Sequence, residues 1–325
     1  MFAVRVNAAG GADALKYEQV ADPTPGPGQA LVRVEAAGVN FIDVYQRSGL
    51  YRVQYPFVPG QEGAGTVLAV APGVTTVSAG DIVAWAGPPG SYAQLCVVQA
   101  DRLVQLPAGV TTRQAAAAML QGITAHYLTT STYPLRAGET CLVHAAAGGV
   151  GQLLCQMARM RGARVIGTVG SQAKIATAKE AGADDVIVYT DEDFEAETRR
   201  LTGGKGVQVV YDSVGRTTFD ASLRCLAPRG VMVLYGQSSG PVPPFDPQIL
   251  NQRGSLFLTR PSIGHHTASR TELLARAGDV LGWVAERRLR LRVDLELPLA
   301  QAAEAHRRLE ARATTGKVLL LPEAA

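Results

Sequence analysis

The chain has 325 residues, 47% of them hydrophobic and 18% charged, which is enough apolar material for two buried cores and excludes a disordered chain. Thirty-one basic against 28 acidic residues leave a net charge of +3, too mild for a protein whose main partner is nucleic acid. The cysteines Cys96, Cys141, Cys155 and Cys225 form no Cys-x-x-Cys pair, which argues against a zinc knuckle or a disulfide framework and for buried thiols.

The chain opens directly on the strand-like Phe2–Val6, without a charged leader or a run of about 20 apolar residues, so a soluble, cytoplasmic protein with no membrane contact is expected. Short alternating runs at 30–36, 65–70 and 81–86, separated by Pro/Gly clusters, predict antiparallel β structure in the first third. From about Gln114 the texture turns to Ala-rich helix, and then apolar strands alternate with helices. The strands fall at 140–145, 164–169, 185–189, 207–213, 231–236 and 255–259, the rhythm of a doubly wound parallel sheet. Beyond Arg260 a helix at 270–286, a β-like run at 292–297, a helix at 299–310 and the apolar 317–321 read as a return to the first domain. Residues 241–247, rich in proline, read as a surface loop.

After the first of these strands comes Ala145-Ala146-Ala147-Gly148-Gly149-Val150-Gly151 and then a helical run, 152–160. Residues 146, 148 and 151 occupy the three small-residue positions of a dinucleotide fingerprint, with alanine at the first. Gly148 lets the backbone approach a pyrophosphate, Gly151 allows close helix–strand packing, and the helix start offers N–H groups to phosphates. The strand that would carry an acid for the ribose hydroxyls of NAD ends instead in Val169-Gly170-Ser171, with Lys174 following. A hydroxyl and an ammonium in place of a carboxylate suit a 2′-phosphate, which predicts NADPH.

The whole chain resembles the medium-chain dehydrogenase/reductase superfamily and, within it, the zinc-independent quinone oxidoreductases related to zeta-crystallin. The likeness rests on Gly38-Val39-Asn40-Phe41-Ile42-Asp43, Arg47-Ser48-Gly49-Leu50-Tyr51, Pro59-Gly60-Gln61-Glu62-Gly63-Ala64-Gly65, the alanine–glycine turn, Tyr211-Asp212-Ser213-Val214-Gly215 and Leu258-Thr259-Arg260-Pro261-Ser262. It implies an α/β protein: a Rossmann doubly wound NADPH-binding domain at 119–262 and a mostly β GroES-like catalytic domain at 1–118 and 263–325. Zinc members of the superfamily carry a Cys and a His ligand where this sequence has Asn40 and Gln61, and the four-cysteine lobe for a second zinc is missing, so no metal is expected. His144 reads as a hydrogen-bonded core or cofactor-adjacent residue.

Without a Lewis acid for an alkoxide, the resemblance implies reduction of a quinone or similarly conjugated carbonyl, which accepts hydride readily. It places Asn40, Tyr45 and Tyr51 near the nicotinamide: Tyr51 as donor to a developing oxyanion, Asn40 orienting cofactor or carbonyl, Tyr45 shaping the pocket. It places Tyr127, Gly149, Val150, Tyr189, Ser213, Gln237, Ser238 and Arg312 along the cofactor groove, beside Gly148, Gly170, Ser171 and Lys174; Arg260, just past the last strand, reads either as a contact to the cofactor or substrate mouth or as an interdomain salt bridge. It also implies a homodimer through the edge strand 255–259. An NADPH-dependent enone, alkenal or enoyl-thioester reductase would share these features. An RNA-binding or crystallin-like structural protein is the alternative of another class, resting on the basic run Arg287, Arg288, Arg290 and Arg292, which lacks interleaved aromatics.

Overall fold

The computed structural model describes residues 1–322. The chain divides into two units, Met1–Ile123 with Thr267–Ala325, and Thr124–His266. In chain order the first unit contributes β1 (Phe2–Val6), β2 (Leu15–Gln19), β3 (Gln29–Val39), β4 (Glu62–Val70), β5 (Ile82–Ala86), β6 (Leu95–Gln99) and β7 (Val104–Gln105). The second contributes β8 (Thr140–Val143), β9 (Arg164–Val169), β10 (Asp185–Val188), β11 (Val207–Asp212), β12 (Leu226–Leu234) and β13 (Phe257–Thr259). The chain then returns to the first unit for β14 (Val293–Pro298) and β15 (Lys317–Leu321).

Among the described residues the second unit holds a six-stranded parallel sheet in the order β10-β9-β8-β11-β12-β13. Its central strands are buried on both faces, which is why they read as unbroken apolar runs and not as alternation. Leu142, Ile166, Val210 and Met232 pack with Phe219 and Leu223 in one core. The helix Phe194–Leu201 between β10 and β11 is started by Asp193, whose side chain accepts from the Glu195 and Ala196 N–H groups, with Arg199 and Arg200 in its last turn.

In the first unit β3 is the organising strand. Along one side it pairs with β4; along the other, Gln29–Arg33 pairs with β6 and Ala37–Val39 with β15. Its alternating Ala30, Val32 and Val34 are buried with Trp85, Tyr92 and Leu103. This register sets Val318 opposite Val39 and Gly63 opposite Ala37, so the end of β3 and the starts of β4 and β15 converge. Asn40, Glu62 and Lys317 meet there.

Several boundaries differ from the sequence expectation. The strand expected to reach Ala145 stops at Val143, because Ala145 turns to φ 52°, in the left-handed region. The following helix starts at Gly149 and not Gln152, taking the last glycine of the fingerprint into its first turn. The strand expected from Val231 begins at Leu226 and passes through an irregularity in its pairing with β11, where Arg229 sits at φ 61° and Pro228-Arg229-Gly230 interrupts the apolar run.

Candidate active site

In the second unit the predicted cofactor residues follow strand ends. All six strands of the second unit are parallel, so their carboxyl ends share one edge of the sheet, where open α/β folds bind ligands. Gly148, Gly149 and Val150 follow β8; Gly170, Ser171 and Lys174 follow β9; Tyr189 follows β10; Ser213 follows β11; Gln237 and Ser238 follow β12; Arg260 follows β13. The sequence-predicted cofactor residues of this unit thus line up along that edge, apart from Tyr127. Arg260 is exposed, and Lys174 half-buried.

The glycine turn is tightly packed against the end of β8. Gly148 is the extended N-cap of the helix Gly149–Met160, with no side-chain cap hydrogen bond. The first N–H groups of a helix lack intrahelical partners, so they face outward as anion donors. A Cβ on Gly151 would stand 2.1 Å from the Ala145 carbonyl oxygen, so only glycine lets the helix sit this close to the strand end. At Gly170 a Cβ would come 2.6 Å from the Tyr189 hydroxyl, and this brings the ends of β9 and β10 together.

Beneath the turn a buried network fixes the loops. His144 is 1% exposed; its Nδ1 meets Thr168 Oγ1 at 2.9 Å and its Nε2 meets Ser222 Oγ at 2.9 Å. Burial lowers its pKa, which keeps the ring neutral. Ser222 Oγ also donates to Asp212 Oδ2 (3.3 Å), and Asp212 takes the N–H groups of Val214 (2.6 Å) and Gly215 (3.0 Å) and the Thr218 hydroxyl (2.7 Å). Ser213 O in turn accepts from Ser238 N at 3.0 Å, joining the loops after β11 and β12. Tyr127 is buried and stacks flat on His266, 4.2 Å between centroids at 4°.

In the first unit the predicted residues gather at the strand convergence. Asn40 precedes the helix Phe41–Arg47 and is 4% exposed. Its Nδ2 donates to Gly38 O (3.2 Å) and Glu62 Oε2 (2.8 Å), while its Oδ1 accepts from Gln121 Nε2 (3.2 Å) and Lys317 Nζ (2.9 Å). Two donors and two acceptors use the amide's whole capacity. Lys317 also pairs with Glu62, both fully buried. Tyr45 and the half-buried Tyr51 lie 5.2 Å apart at 55°, and Phe41 stands 6.0 Å from Tyr45. Arg312, exposed in the turn before β15, adopts φ 56°.

Sequence reasoning missed Asp43, Glu62, Lys317 and Phe41. Phe41 and Tyr45 are four apart on one helix face, a spacing that could have flagged the aromatic ladder. Lys317 was hidden as the head of an apolar strand.

Zinc does not fit this donor set. The Asn40 amide is saturated, and an ammonium 2.9 Å from its Oδ1 would repel a dication. Among the described residues no group of three or more His, Cys, Asp and Glu is placed to hold a metal, and no helix is long and apolar enough to cross a membrane. Of the basic run, Arg288 pairs with Glu286 at 3.1 Å and lies over the Trp283 ring at 5.9 Å.

Asp43 and His306 carry opposed ionisations. Burial pushes the Asp43 carboxyl from 3.8 up to about 7, against the pull of the Asn40 N–H, Lys317, Tyr92 and the Gln61 N–H. Burial, helped by Arg47, drags His306 from 6.5 down to about 3. Between pH 3.8 and 7 the folded chain keeps an Asp43 proton that the unfolded chain has lost, so rising pH destabilises. Between pH 3 and 6.5 the unfolded chain holds a His306 proton that the folded chain refuses, so rising pH stabilises. The two slopes largely cancel. Asp43→Asn should therefore show stability rising with pH and His306→Gln stability falling, each on the order of a few kcal/mol across its window. Tryptophan emission during urea unfolding checks this, since Trp85 and Trp283 both lie in the first unit. Flat profiles in both variants would contradict it.

Two family descriptions match the chain: an alcohol dehydrogenase GroES-like domain over residues 26–108 and a zinc-binding dehydrogenase domain over residues 149–274. The chain belongs to the medium-chain dehydrogenase/reductase superfamily, among its quinone oxidoreductases. A quinone oxidoreductase of Pseudomonas aeruginosa is 46% identical, covering 98% of this chain and 99% of its own. A 2-haloacrylate reductase of a Burkholderia species is 40% identical, covering 100% of both. A mycobacterial protein solved in complex with NADPH superposes with a TM-score of 0.96 at 48% identity, covering 99% of this chain and 100% of that one. The family and the Rossmann-plus-GroES-like fold expected from the sequence both hold.

Proposed function

We propose that the chain is an NADPH:quinone oxidoreductase that works without zinc, the second unit binding the nucleotide and the first supplying the substrate-binding groups. One observation carries the reading: likeness to quinone oxidoreductases extends over essentially the whole chain, through both units. Bound NADPH supplies a hydride donor. The turn at 148–151 grips its diphosphate, and Gly170, Ser171 and Lys174, with no carboxylate among them, receive the 2′-phosphate. Tyr189, Ser213, Gln237 and Ser238 flank the nucleotide along the same strand ends, with Tyr127, Arg260 and Arg312 as further cofactor contacts. Tyr51 hydrogen-bonds the oxygen that gains charge, and Tyr45 packs against its ring. Asn40, its amide fully used within the protein, acts by holding its surroundings and not by turning to a ligand.

The resemblance implies a cytoplasmic homodimer, and for the dimer the support is that β13 is an edge strand with Phe257 61% exposed. The likeness to a 2-haloacrylate reductase favours a second reading, reduction of a conjugated carbon–carbon double bond. Steady-state turnover with 1,4-benzoquinone, 9,10-phenanthrenequinone and a short 2-alkenal separates the two; a wide preference for the alkenal would overturn the first. For the cofactor, Lys174→Glu should shift the NADPH-to-NADH preference by about tenfold or more toward NADH, since it replaces attraction to a dianion with repulsion. An unchanged ratio of kcat/KM values would refute the role of Lys174.

A further inference from the structure

Asp43 is wholly buried in the helix Phe41–Arg47. Its Oδ2 accepts from Asn40 N at 2.9 Å and from the Tyr92 hydroxyl at 3.1 Å, and its Oδ1 accepts from Gln61 N at 3.1 Å. Asn40 follows β3 and Gln61 precedes β4, and the last pairing of the two strands is Ala37 with Gly63. One carboxylate therefore bridges two chain segments just where the ladder between them stops. Behind it Tyr92 Oη meets His306 Nε2 at 3.1 Å, His306 Nδ1 meets Arg47 Nη1 at 3.3 Å, and Arg47 forks onto Glu310 at 2.9 and 2.8 Å. Arg47 is 2% exposed at its side chain, and Glu310 is 38% exposed.

Proton accounting gives this chain one direction. An arginine only donates, so His306 Nδ1 accepts and its proton sits on Nε2. That proton goes to Tyr92 Oη, and the single phenol proton goes to Asp43. Above pH 7, where Asp43 has given up its own proton, the carboxylate is left as pure acceptor for a phenol and two amides.

We propose that Asp43 is a positioning residue for the reaction, holding the Asn40 and Gln61 segments at fixed spacing, and that Tyr92, His306, Arg47 and Glu310 form the oriented chain that keeps its carboxylate aimed at them. The proposal rests on the function given above. An asparagine at this position keeps the size but has one accepting oxygen, so its NH2 must face an N–H or the phenol. The segments then part by tenths of an ångström, and catalytic geometry is sensitive on that scale.

The experiment uses the full chain with Asp43→Asn, Tyr92→Phe and His306→Gln. Benzoquinone turnover should fall about tenfold or more in Asp43→Asn and about threefold in Tyr92→Phe, at unchanged KM for NADPH. Hydrogen exchange at the Asn40 and Gln61 amides should quicken in the same order, with His306→Gln showing the smallest effect. Turnover within twofold of wild type in Asp43→Asn would overturn the proposal, and so would unchanged exchange at both amides. Should Asp43→Asn fail to fold, Tyr92→Phe, which removes a single hydroxyl, is judged by the same two readouts. Should the wild type itself reduce no quinone, the functional reading fails by itself, and the exchange comparison alone decides whether Asp43 holds the two segments.

Discussion

Replacing Gly151 with alanine is expected to weaken NADPH binding about a hundredfold or more while leaving the unit that carries both tryptophans folded. The added Cβ would stand 2.1 Å from Ala145 O and 2.9 Å from Ala145 C and Ala146 Cα. All three are backbone atoms, so no side chain can swing aside. The turn has no slack to give, because Ala145 already holds φ 52°, a conformation that costs an L residue about 1–2 kcal/mol. Overpacking of this kind destabilises by about 1–3 kcal/mol or more, and its relief must come from the helix start retreating from the strand end. That retreat moves the very N–H groups assigned to the diphosphate. Gly148→Ala makes the contrast: there a Cβ comes to 3.1 Å from Ala145 O, a far milder crowding than 2.1 Å, so the fold should lose less than in Gly151→Ala. NADPH fluorescence titration beside thermal unfolding tests both. Binding by Gly151→Ala within tenfold of wild type would show that the turn does not grip the nucleotide.

The parts of this molecule that were legible in the sequence are those written in local pattern. β8 to β12 announce themselves as apolar runs between helices because both faces of a parallel sheet are covered, and the glycine turn is readable because its spacing is itself the mechanism. The strand ends carry their loops to one edge by topology, so naming the strands was enough to align Gly148, Gly170, Tyr189, Ser213 and Gln237. What stayed hidden depends on partners distant along the chain. Lys317 meets Glu62 across 255 residues and Asn40 across 277, and its own neighbours are an apolar strand that gives no hint of a buried ammonium. Arg47 and His306, separated by 259 residues, were hidden in the same way. Asn40 was noticed for the right position, but its hydrogen-bond saturation only appears once the β3–β15 register is known. Ala145 was overlooked because a left-handed φ is normally sought at glycine, and here an alanine holds it.

Lys317→Met is expected to destabilise the first unit by about 3–5 kcal/mol, the cost of leaving a buried charge without its partner. Glu62 is 0% exposed and Lys317 2% exposed. Glu62 Oε1 takes the Leu120 N–H at 2.7 Å and Oε2 takes Asn40 Nδ2 at 2.8 Å along with the ammonium. With the ammonium gone, two neutral donors remain to solvate a full negative charge away from water, and the folded chain must take up a proton instead. Stability of the variant should accordingly recover as pH falls toward the ordinary glutamate range, where the unfolded chain also binds that proton. Glu62→Gln combined with Lys317→Met should recover much of the loss at neutral pH, because it removes both charges while the glutamine oxygen still serves Leu120 N. The double-mutant coupling separates a true buried pair from two independent packing defects. Urea unfolding followed by tryptophan emission reads this unit alone, since neither tryptophan lies in the other. A loss below about 1 kcal/mol in the single variant, within the range of exposed ion pairs, would mean that Lys317 reaches solvent and does not hold the Asn40 amide in place.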